Sequence, residues 1–449
     1  MTGSLETVAN EVLVLARSAG AIAAEVTVLE GDEFEVNVRL GEIETLKEAG
    51  SRGVGIRVLL GQQAGSASTS DFSQAGLEKM VSSAIALARI STADPFAGLP
   101  SPEELGRIEG DLRLYSPGIA ELDPARRIEM AKQAEASAMR FDPRISNSEG
   151  AGFSSHTGTR VFANSLGFLG CYRTSSCSLS MVPVARDGDR LERDYWYSSA
   201  RNLAKLESPE HVGQTAAART LRRLGARKVS TQNVPVIFEP RVARSLLSHI
   251  FEALNGERVY RKSSFLAGKL HEQIASDAVT IVNDGTLPGL FGTVPFDAEG
   301  VPSRKTTLIA NGTLESYLLN TYSAKKLGLR TTGSGSRGLS GNPGIGAANL
   351  YLAAGNVGPD EIIASVKNGF LVTELLGSGV NIVNGDYSRG AAGLWIEDGK
   401  PAFAVHEVTI AGNLRRMLER IEAVGSDLEF RGAIAAPTVL IREMTVSGY

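Results

Sequence analysis

The sequence predicts an α+β protein, with N-terminal helices on a mostly antiparallel sheet and a hairpin-rich, β-dominated C-terminal domain. Three residue pairs typical of tight hairpin turns lie between apolar runs that favour strands: Asp187-Gly188, Asn311-Gly312 and Asp398-Gly399. Glycine is abundant, at 49 of 449 residues, which suits a protein with many turns. The predicted strands follow one another instead of alternating with helices, which argues against a doubly wound parallel sheet.

Chain length and the pattern of predicted strands and helices predict the domain organisation. With about 150 residues per domain as a guide, 449 residues predict two to three domains. The pattern of predicted strands and helices changes near Asn233. This change separates an N-terminal α+β domain, residues 1–228, from a C-terminal domain, residues 229–449. A proline-containing stretch from Asp94 to Gly106 divides the N-terminal domain into two sub-parts at about 20–92 and 113–228.

The helices of the N-terminal domain are predicted from spacing and capping residues. Apolar residues recur at helical spacing from Leu5 to Arg17, whereas residues 34–69 contain alternating and apolar runs that predict strands. Ser73, Asp123 and Ser208 are good N-cap residues, and proline follows the last two directly. Each therefore predicts the start of a helix, and the second of these helices is expected to end near residue 139.

The C-terminal domain is predicted to begin with a short buried strand, VPVIFEP, followed by a helix from Pro240 to Leu254 that ends at Asn255-Gly256. Further helices are predicted at residues 323–327, 359–367 and 413–422. A glycine-rich stretch, residues 328–346, is predicted to be a loop that borders a cleft.

Charge and apolar patterning exclude several classes of protein. The 46 basic and 50 acidic residues give a net charge of −4, which offers no basic excess for nucleic acid. No apolar run approaches the roughly 20 residues needed to span a bilayer. Glu6 and Glu11 precede any basic residue, so the first helix does not resemble a signal peptide. Cys171 and Cys177 form no disulfide framework, and we expect a cytoplasmic protein.

The local catalytic and cofactor motifs are incomplete, absent or in the wrong structural context. Gly333 to Gly338 matches G-x-G-x-x-G but follows a predicted helical turn and not a strand, so no dinucleotide site is predicted. His271-Glu272 begins H-E-x-x-H, but the fifth residue is Ala275. The sequence contains neither a G-x-x-x-x-G-K-[ST] motif nor a G-x-S-x-G motif. No two of the five histidines are closer than 22 residues, so no local zinc motif is predicted.

His249 and Glu252 are three residues apart on the predicted helix 240–254. Together with Ser245 they lie on the flank of the apolar stripe of that helix. They could be two metal ligands or a partly solvated hydrogen-bonded pair. Because two side chains do not complete a tetrahedral zinc site, the pattern favours the hydrogen-bonded pair.

A basic cluster lies at the C-terminal end of the predicted helix that begins after Ser208. Cations at a helix C-terminus offset the helix macrodipole, which is the favoured interpretation; the alternative is a patch for an anionic ligand. The cluster consists of Arg219, Arg222, Arg223, Arg227 and Lys228.

The densest group of polar residues and glycines is NGDYSRGAAG, residues 384–393. Its small residues would let a peptide backbone approach and hydrogen-bond as an added strand, with Asp386 or Arg389 as an anchor. The alternative is a β-turn with a structural Asp386–Arg389 salt bridge. The candidates for a substrate cleft are Asp386, Tyr387, Ser388, Arg389, Arg261 and Lys262.

Several long segments of the sequence are distinctive: NSEGAGFSSHTGTRVFANSLGF (147–168), GDRLERDYWYSSAR (188–201), VYRKSSFL (259–266), PFDAEGVPSR (295–304), VTELLGSGVN (372–381) and NGDYSRGAAG (384–393). They resemble the TldD/PmbA family, historically labelled modulators of DNA gyrase. The resemblance covers nearly the whole chain, from about residue 20. It implies proteolysis: in TldD-type members a helix with an H-E-x-x-x-H motif and a later cysteine bind zinc, and two subunits enclose a chamber for unfolded peptides.

This chain departs from the zinc motif of the family. Aligned on Asn255-Gly256, the three positions of the motif hold Leu247, Ser248 and Glu252, and no cysteine follows Cys177. The resemblance therefore implies the PmbA/TldE type, a subunit that binds no metal or other cofactor itself.

Zinc is then expected only on a TldD-type partner, in a heterodimer that acts on unfolded peptides without nucleic acid or membrane. Two alternatives remain open. One is a non-catalytic peptide-binding or regulatory homodimer. The other is an independent metal-dependent hydrolase that uses Glu252, His249 or Asp386.

Overall fold

The computed structural model describes residues 4–449. The predicted N-caps are confirmed: the side chains of Ser73, Asp123 and Ser208 each accept a hydrogen bond from a backbone N–H in the first turn of the helix that follows. The helices are α1 (Leu5–Ser18), α2 (Gln74–Ile90), α3 (Pro117–Ala120), α4 (Pro124–Met139), α5 (Pro209–Leu221), α6 (Pro240–Leu254), α7 (Gly256–Tyr260), α8 (Thr321–Leu327), α9 (Pro359–Ala364) and α10 (Leu414–Glu419).

The α+β class is confirmed, and the strands are divided among a few sheets. The strands of the N-terminal part are β1 (Ala23–Arg39), β2 (Glu42–Leu60), β3 (Gln63–Thr69), β4 (Ile145–Asn164), β5 (Leu169–Asp187), β6 (Arg190–Arg193) and β7 (Trp196–Ala200). Those of the C-terminal part are β8 (Gln232–Phe238), β9 (Ile281–Asp284), β10 (Lys305–Ala310), β11 (Thr313–Leu314), β12 (Gly335–Ser336), β13 (Gly344–Ile345), β14 (Asn349–Leu352), β15 (Asn368–Leu376), β16 (Asp386–Glu397), β17 (Lys400–Asn413), β18 (Ile421–Val424), β19 (Ile434–Ala435) and β20 (Val439–Ser447).

One antiparallel sheet extends through both sub-parts of the N-terminal region. Its order is β3-β2-β1-β4-β5-β6, and β7 also pairs with β5. Val28 on β1 lies between Val54 on β2 and Val161 on β4, so hairpins distant in sequence are joined side by side. Helices α1 and α2 cover one apolar region of this sheet, and α4 and α5 cover another.

The C-terminal region contains a six-stranded sheet of order β17-β16-β15-β8-β20-β18, and β17 also pairs with β20. The pairing of β17 with β20 closes the sheet on itself, so that β17 has a neighbour on each side. Strand β16 lies between β15 and β17. A five-stranded sheet of order β11-β10-β9-β14-β19 lies beside it. Helix α6 and the inner faces of both sheets share one large apolar core.

Turn residues with positive φ confirm two predicted hairpins. Asn311 has φ 44° and Asp398 has φ 46°, and each precedes a glycine with positive φ, as a tight two-residue turn requires. The hairpin predicted at Asp187-Gly188 is also formed, but its turn consists of Gly188 and Asp189, because Asp187 still pairs with Arg190.

Two predicted helices end earlier than expected. The helix predicted at 413–422 ends at Glu419, because Ile421 begins β18, and the one predicted at 359–367 ends at Ala364. Asn255 does end α6, but its side chain caps α7 by accepting from the backbone N–H of Glu257.

The glycine-rich stretch 328–346 lies against the N-terminal sheet. A Cβ atom on Gly55 of β2 would lie 1.6 Å from the carbonyl oxygen of Leu339, so only glycine permits this close approach. Residues 333–337 and 346–348 also line a cavity of about 260 Å³, which agrees with the prediction of a loop that borders a cleft.

The predicted basic cluster forms ion pairs and aromatic contacts instead of an open anionic site, and the guanidinium of Arg219 lies over the ring of Trp196. Arg219 and Arg222 pair with Glu239, and Arg223 pairs with Glu192 and Glu374. Arg227 stacks over Phe403 at 3.6 Å, and Lys228 pairs with Glu407 at 2.9 Å. Since Glu239 immediately precedes α6, these contacts join the N-terminal helices to the C-terminal region.

Two buried carboxyl groups lie where the glycine-rich stretch meets the N-terminal sheet. Asp297 accepts hydrogen bonds from the backbone N–H groups of Glu299, Val301 and Gly335. Glu299 accepts from the backbone N–H of Thr321 at 2.8 Å. Burial raises the pKa of both groups, and the Asp297 carboxylate raises the pKa of Glu299 further.

The charged groups around this pair do not neutralise it. The nearby Glu25 is held by Arg57 and Arg337, and its charge also raises the pKa of Asp297 and of Glu299. A raised carboxyl pKa makes the folded chain retain protons that the unfolded chain releases. The stability contribution is therefore full below the unfolded pKa of about 4 and is lost as the pH rises through the folded pKa values.

Glu299→Gln should flatten this pH dependence. The glutamine oxygen can still accept from Thr321, but the variant has no charge to bury. We expect the wild-type free energy of unfolding to fall between about pH 5 and about pH 9, and the variant to lose less over this range. Urea denaturation at several pH values measures both slopes. Glu443→Gln, at a half-exposed surface pair, is the control and should follow the wild type; equal slopes in all three proteins would show that Glu299 does not titrate.

Candidate functional site

One side of helix α6 packs into the apolar core of the C-terminal region. Its buried side includes Leu246, Leu247 and Ile250. Leu247 is 4% exposed and lines a small apolar cavity together with Leu352 and Met417. The apolar stripe predicted for this helix is confirmed, and Leu247 belongs to the core.

Ser248 and Glu252, on the same helix, are engaged by neighbouring groups. The Ser248 hydroxyl donates to the backbone carbonyl of Arg244 at 3.2 Å. The Glu252 carboxylate accepts from Nε of Arg258 at 2.7 Å. The predicted hydrogen bond between His249 and Glu252 is therefore wrong, because Glu252 turns toward Arg258.

On the other flank of α6, His249 contacts strand β16. The ring of His249 lies edge-on to the ring of Tyr387, with 6.1 Å between the ring centroids. Ser245 is one helical turn before His249, and Arg389 is two residues after Tyr387 on the same face of β16. We call Ser245, His249, Tyr387 and Arg389 the α6–β16 polar cluster.

Each member of this cluster has a buried polar atom with no hydrogen-bond partner among residues 4–449. These atoms are Ser245 Oγ, His249 Nε2, the Tyr387 hydroxyl and Arg389 Nε. Burial lowers the pKa of His249, and the Arg389 charge lowers it further, so the imidazole is neutral at pH 7. Burial also raises the pKa of Tyr387, which keeps the phenol protonated. The cluster is thus a set of hydrogen-bond donors with one positive charge.

The remaining residues predicted in this segment lie on the opposite face of β16. Asp386 and Ser388 are exposed, and Asp386 accepts from the side-chain amide of Asn384 at 2.7 Å. The predicted Asp386–Arg389 salt bridge is wrong, because residues three apart in a strand point to opposite faces.

A peptide cannot add to this part of β16 as a further strand. Asp386 to Ala391 pair with β17 on one side. On the other side, the backbone N–H of Ser388 donates to the carbonyl of Gly379 at 2.7 Å. The strand-addition expectation is therefore wrong at residues 386–391, although the side chains of Tyr387 and Arg389 remain available.

Arg261 and Lys262 lie away from the cluster, directly after α7. Arg261 is exposed, pairs with Glu257 at 2.8 Å, and borders a cleft of about 360 Å³ that also contains Asp94 and Tyr322. Lys262 is exposed and has φ 54°. The structure does not bring these two residues together with Tyr387 and Arg389.

A larger cleft lies between the N-terminal sheet and the C-terminal region. It has a volume of about 590 Å³, and its walls come from residues 111–117, 198–202, 288–291 and 429–431. Arg201 fastens two walls by donating to the backbone carbonyls of Leu290 and Phe291. The sequence interpretation missed this cleft, although Arg201 ends one of the long family-like segments.

The cleft continues into a groove of about 190 Å³ that reaches helix α6. Glu429 and Arg431 line both parts. Arg244 on α6 donates to the hydroxyl of Tyr197 at 2.6 Å and so fixes the wall of the groove. Extended, polar and partly aromatic surfaces of this kind suit a peptide better than a compact metabolite.

Three family models match the chain in succession. They are described as PmbA/TldA metallopeptidase domain 1 at residues 24–88, the central domain at 117–224 and the C-terminal domain at 231–448. The metalloprotease PmbA of Escherichia coli O157:H7 is 40% identical over 444 residues, which cover 99% of this chain and 96% of that protein. The chain belongs to the PmbA/TldD family.

Solved structures of the PmbA/TldD family agree with the fold. A Bacteroides thetaiotaomicron protein named as a modulator of DNA gyrase superposes with a TM-score of 0.92 at 29% identity, with full coverage of both chains. TldE from Thermococcus kodakarensis superposes with a TM-score of 0.88 at 23% identity, covering 98% of this chain and all of that one, and shows the shared fold.

The metal implied by the PmbA/TldD family does not fit the residues at the aligned zinc positions. Leu247 carries no donor atom and faces the apolar core, Ser248 bonds to its own helix, and Glu252 is held by Arg258. Over residues 4–449, no group of three or more His, Cys, Asp or Glu side chains is arranged to hold a metal ion. None of the helices in the same range is long and apolar enough to cross a membrane.

Proposed function

We propose that this chain is the peptide-holding, non-zinc subunit of a cytoplasmic two-subunit protease whose zinc lies on a TldD-type partner. The observation that carries the proposal is the set of residues on α6 at the positions where the family binds zinc. The chain retains the fold of a metallopeptidase family along its whole length, yet the aligned positions offer no free zinc ligand.

The cleft between the two regions provides the binding surface that this role needs. Arg201, Arg244 and Arg431 each use their guanidinium groups to fix the walls through hydrogen bonds to other segments. Pre-organised walls reduce the entropy lost when a flexible peptide binds. The chain would hold the peptide and shield it from bulk water, and its partner would supply the metal chemistry.

The purified chain alone should not cleave an unfolded peptide, whereas the chain mixed with a TldD-type partner should. A fluorogenic unfolded peptide measures turnover with either subunit alone, with both together, and with both plus a zinc chelator. Mass spectrometry of the dialysed chain should find far less than one zinc per molecule.

Other outcomes would change the assignment. Chelator-sensitive cleavage by the isolated chain with about one zinc per molecule would support an independent metal-dependent hydrolase. Chelator-insensitive cleavage by the isolated chain would exclude the zinc-partner scheme altogether. If the mixture forms no complex and stays inactive while the chain still binds peptide, the role is that of a peptide-binding homodimer.

A further inference from the structure

We propose that the α6–β16 polar cluster binds a peptide carboxylate, with Arg389 as its charged contact. The cluster contains four buried polar atoms that lack a hydrogen-bond partner within residues 4–449, on two elements that meet where the His249 ring contacts the Tyr387 ring. Buried polar groups in folded proteins are almost always hydrogen-bonded, so four exceptions in one place indicate a ligand that supplies the partners. The identification of the carboxylate as that of a peptide rests on the proposed function.

Tyr387 is the most deeply placed member of the cluster. Its side chain is 1% exposed, and its hydroxyl has no partner among the described residues. Tyrosine hydroxyls at such depth usually find a hydrogen-bond partner. Phenylalanine would suit an apolar environment at this position, but the chain has tyrosine. Its hydroxyl is directed to the same side of β16 as Arg389.

The positive charge of Arg389 has no carboxylate beside it within residues 4–449. No carboxylate of residues 4–449 lies within 4.0 Å of a side-chain nitrogen of Arg389; the salt bridges of this chain involve other arginines, such as Arg219 and Arg241 with Asp194. Glu252, the acidic group that acts on His249, is held by Arg258 at 2.7 Å. A partly buried guanidinium without a counterion attracts an anion.

The chemistry of the four side chains selects a carboxylate over a phosphate. A planar guanidinium matches the two oxygens of a carboxylate through paired hydrogen bonds, and the hydroxyls of Ser245 and Tyr387 are further hydrogen-bond donors. His249 is neutral and can donate from one ring nitrogen. One fixed positive charge balances a monoanion, whereas a phosphate dianion would leave a buried negative charge.

A ligand can reach the cluster from solvent at the side chain of Arg389. This side chain is half-buried, and only its Nε is both buried and without a partner, so its terminal nitrogens reach solvent. The loop from Gly377 to Gly385 pairs with Tyr387 and Ser388, and both of those glycines have positive φ. A chain end that follows this loop can meet the guanidinium first and the Tyr387 hydroxyl after it.

Binding of matched peptides to the full chain tests the proposal. The probes are one fluorescent unfolded peptide with a free C-terminal carboxylate, its C-terminal amide, and an amide that contains one internal glutamate. If the cluster takes the chain end, the free acid should bind at least about tenfold more tightly than either amide. If it takes an acidic side chain, the glutamate-containing amide should bind at least about tenfold more tightly than the plain amide, which also supports a carboxylate site.

Arg389→Met, which keeps the apolar stem, should abolish the preference for the carboxylate, and Tyr387→Phe should reduce it. Arg442→Met, at an exposed surface pair, is the control and should retain it. If Arg389→Met does not fold, Tyr387→Phe and Ser245→Ala carry the test. Equal binding of all three peptides by the wild type, or a preference that persists in these variants, overturns the proposal. Because no partner is added, this result does not depend on proteolysis by the complex.

Discussion

Asp194→Ala should lower the free energy of unfolding by about 3–5 kcal/mol, the usual range when one partner is removed from a buried ion-pair network. The Asp194 side chain is 2% exposed and lies 2.8 Å from Nη2 of Arg241 and 3.3 Å from Nε of Arg219. Both arginines are buried or nearly so, and they also contact Glu239. Removing the carboxylate leaves buried positive charges facing one another between the N-terminal sheet and α6.

The protonation state of Asp194 gives this contribution a definite pH dependence. Burial alone would raise the pKa of Asp194, but the charges of Arg219 and Arg241 outweigh burial and hold the pKa below its usual value. The stabilisation is therefore complete above the unfolded pKa of about 3.9 and is lost as the pH falls through the folded pKa.

Urea denaturation at neutral pH measures the loss, with two matched variants. Asp194→Asn removes the charge while keeping the shape and should be destabilising as well. Glu443→Ala breaks a half-exposed pair with Arg420 and should change stability by no more than about 1 kcal/mol. If Asp194→Ala costs no more than Glu443→Ala, the network does not hold the two regions together.

The elements that could be predicted from the sequence are those specified by neighbouring residues. The N-cap side chain of Asp123 bonds to its own helix, and Asp398-Gly399 forms its turn from two adjacent backbone conformations. Neither depends on distant parts of the chain, so both predictions are confirmed.

Contacts between distant segments could not be predicted in the same way. The pairing of Val28 with Val161, and of β17 with β20, depends on which apolar strands meet after the chain collapses. The cleft of about 590 Å³ has walls from four separate segments, so no window of sequence contains its pattern. Local spacing carries no information about such neighbours.

The candidate site was predictable in part. The sequence indicates residues 387 and 389 as candidates, but His249 is 138 positions before Tyr387, and nothing in local spacing joins them. The sequence of residues 384–393 also fits a turn, in which Asp386 and Arg389 could pair. In the structure residues 386–397 form a strand, and the alternation of its side chains separates the two.

Leu247→His should destabilise the folded chain by about 2–5 kcal/mol, the range for an unpaired polar group placed in a packed core. The imidazole would replace an apolar side chain at a position that is 4% exposed and surrounded by Leu352, Met417 and other apolar groups. Leu247→Met, which conserves volume and polarity, is the matched control and should cost less than about 1.5 kcal/mol.

The same position decides whether α6 can be returned to a zinc-binding helix. A ligand that binds only the folded state raises the melting temperature, so zinc binding would appear as a zinc-dependent rise. In Leu247→His/Glu252→His we expect no such rise, because residue 247 faces the core, while residue 252 lies on the side of Arg258 and no cysteine follows Cys177. Thermal unfolding with and without zinc, beside Glu252→His alone, gives the comparison. A rise confined to the double variant would show that the helix can turn residue 247 out of the core, and that the two substitutions at positions 247 and 252 are enough to restore a metal site.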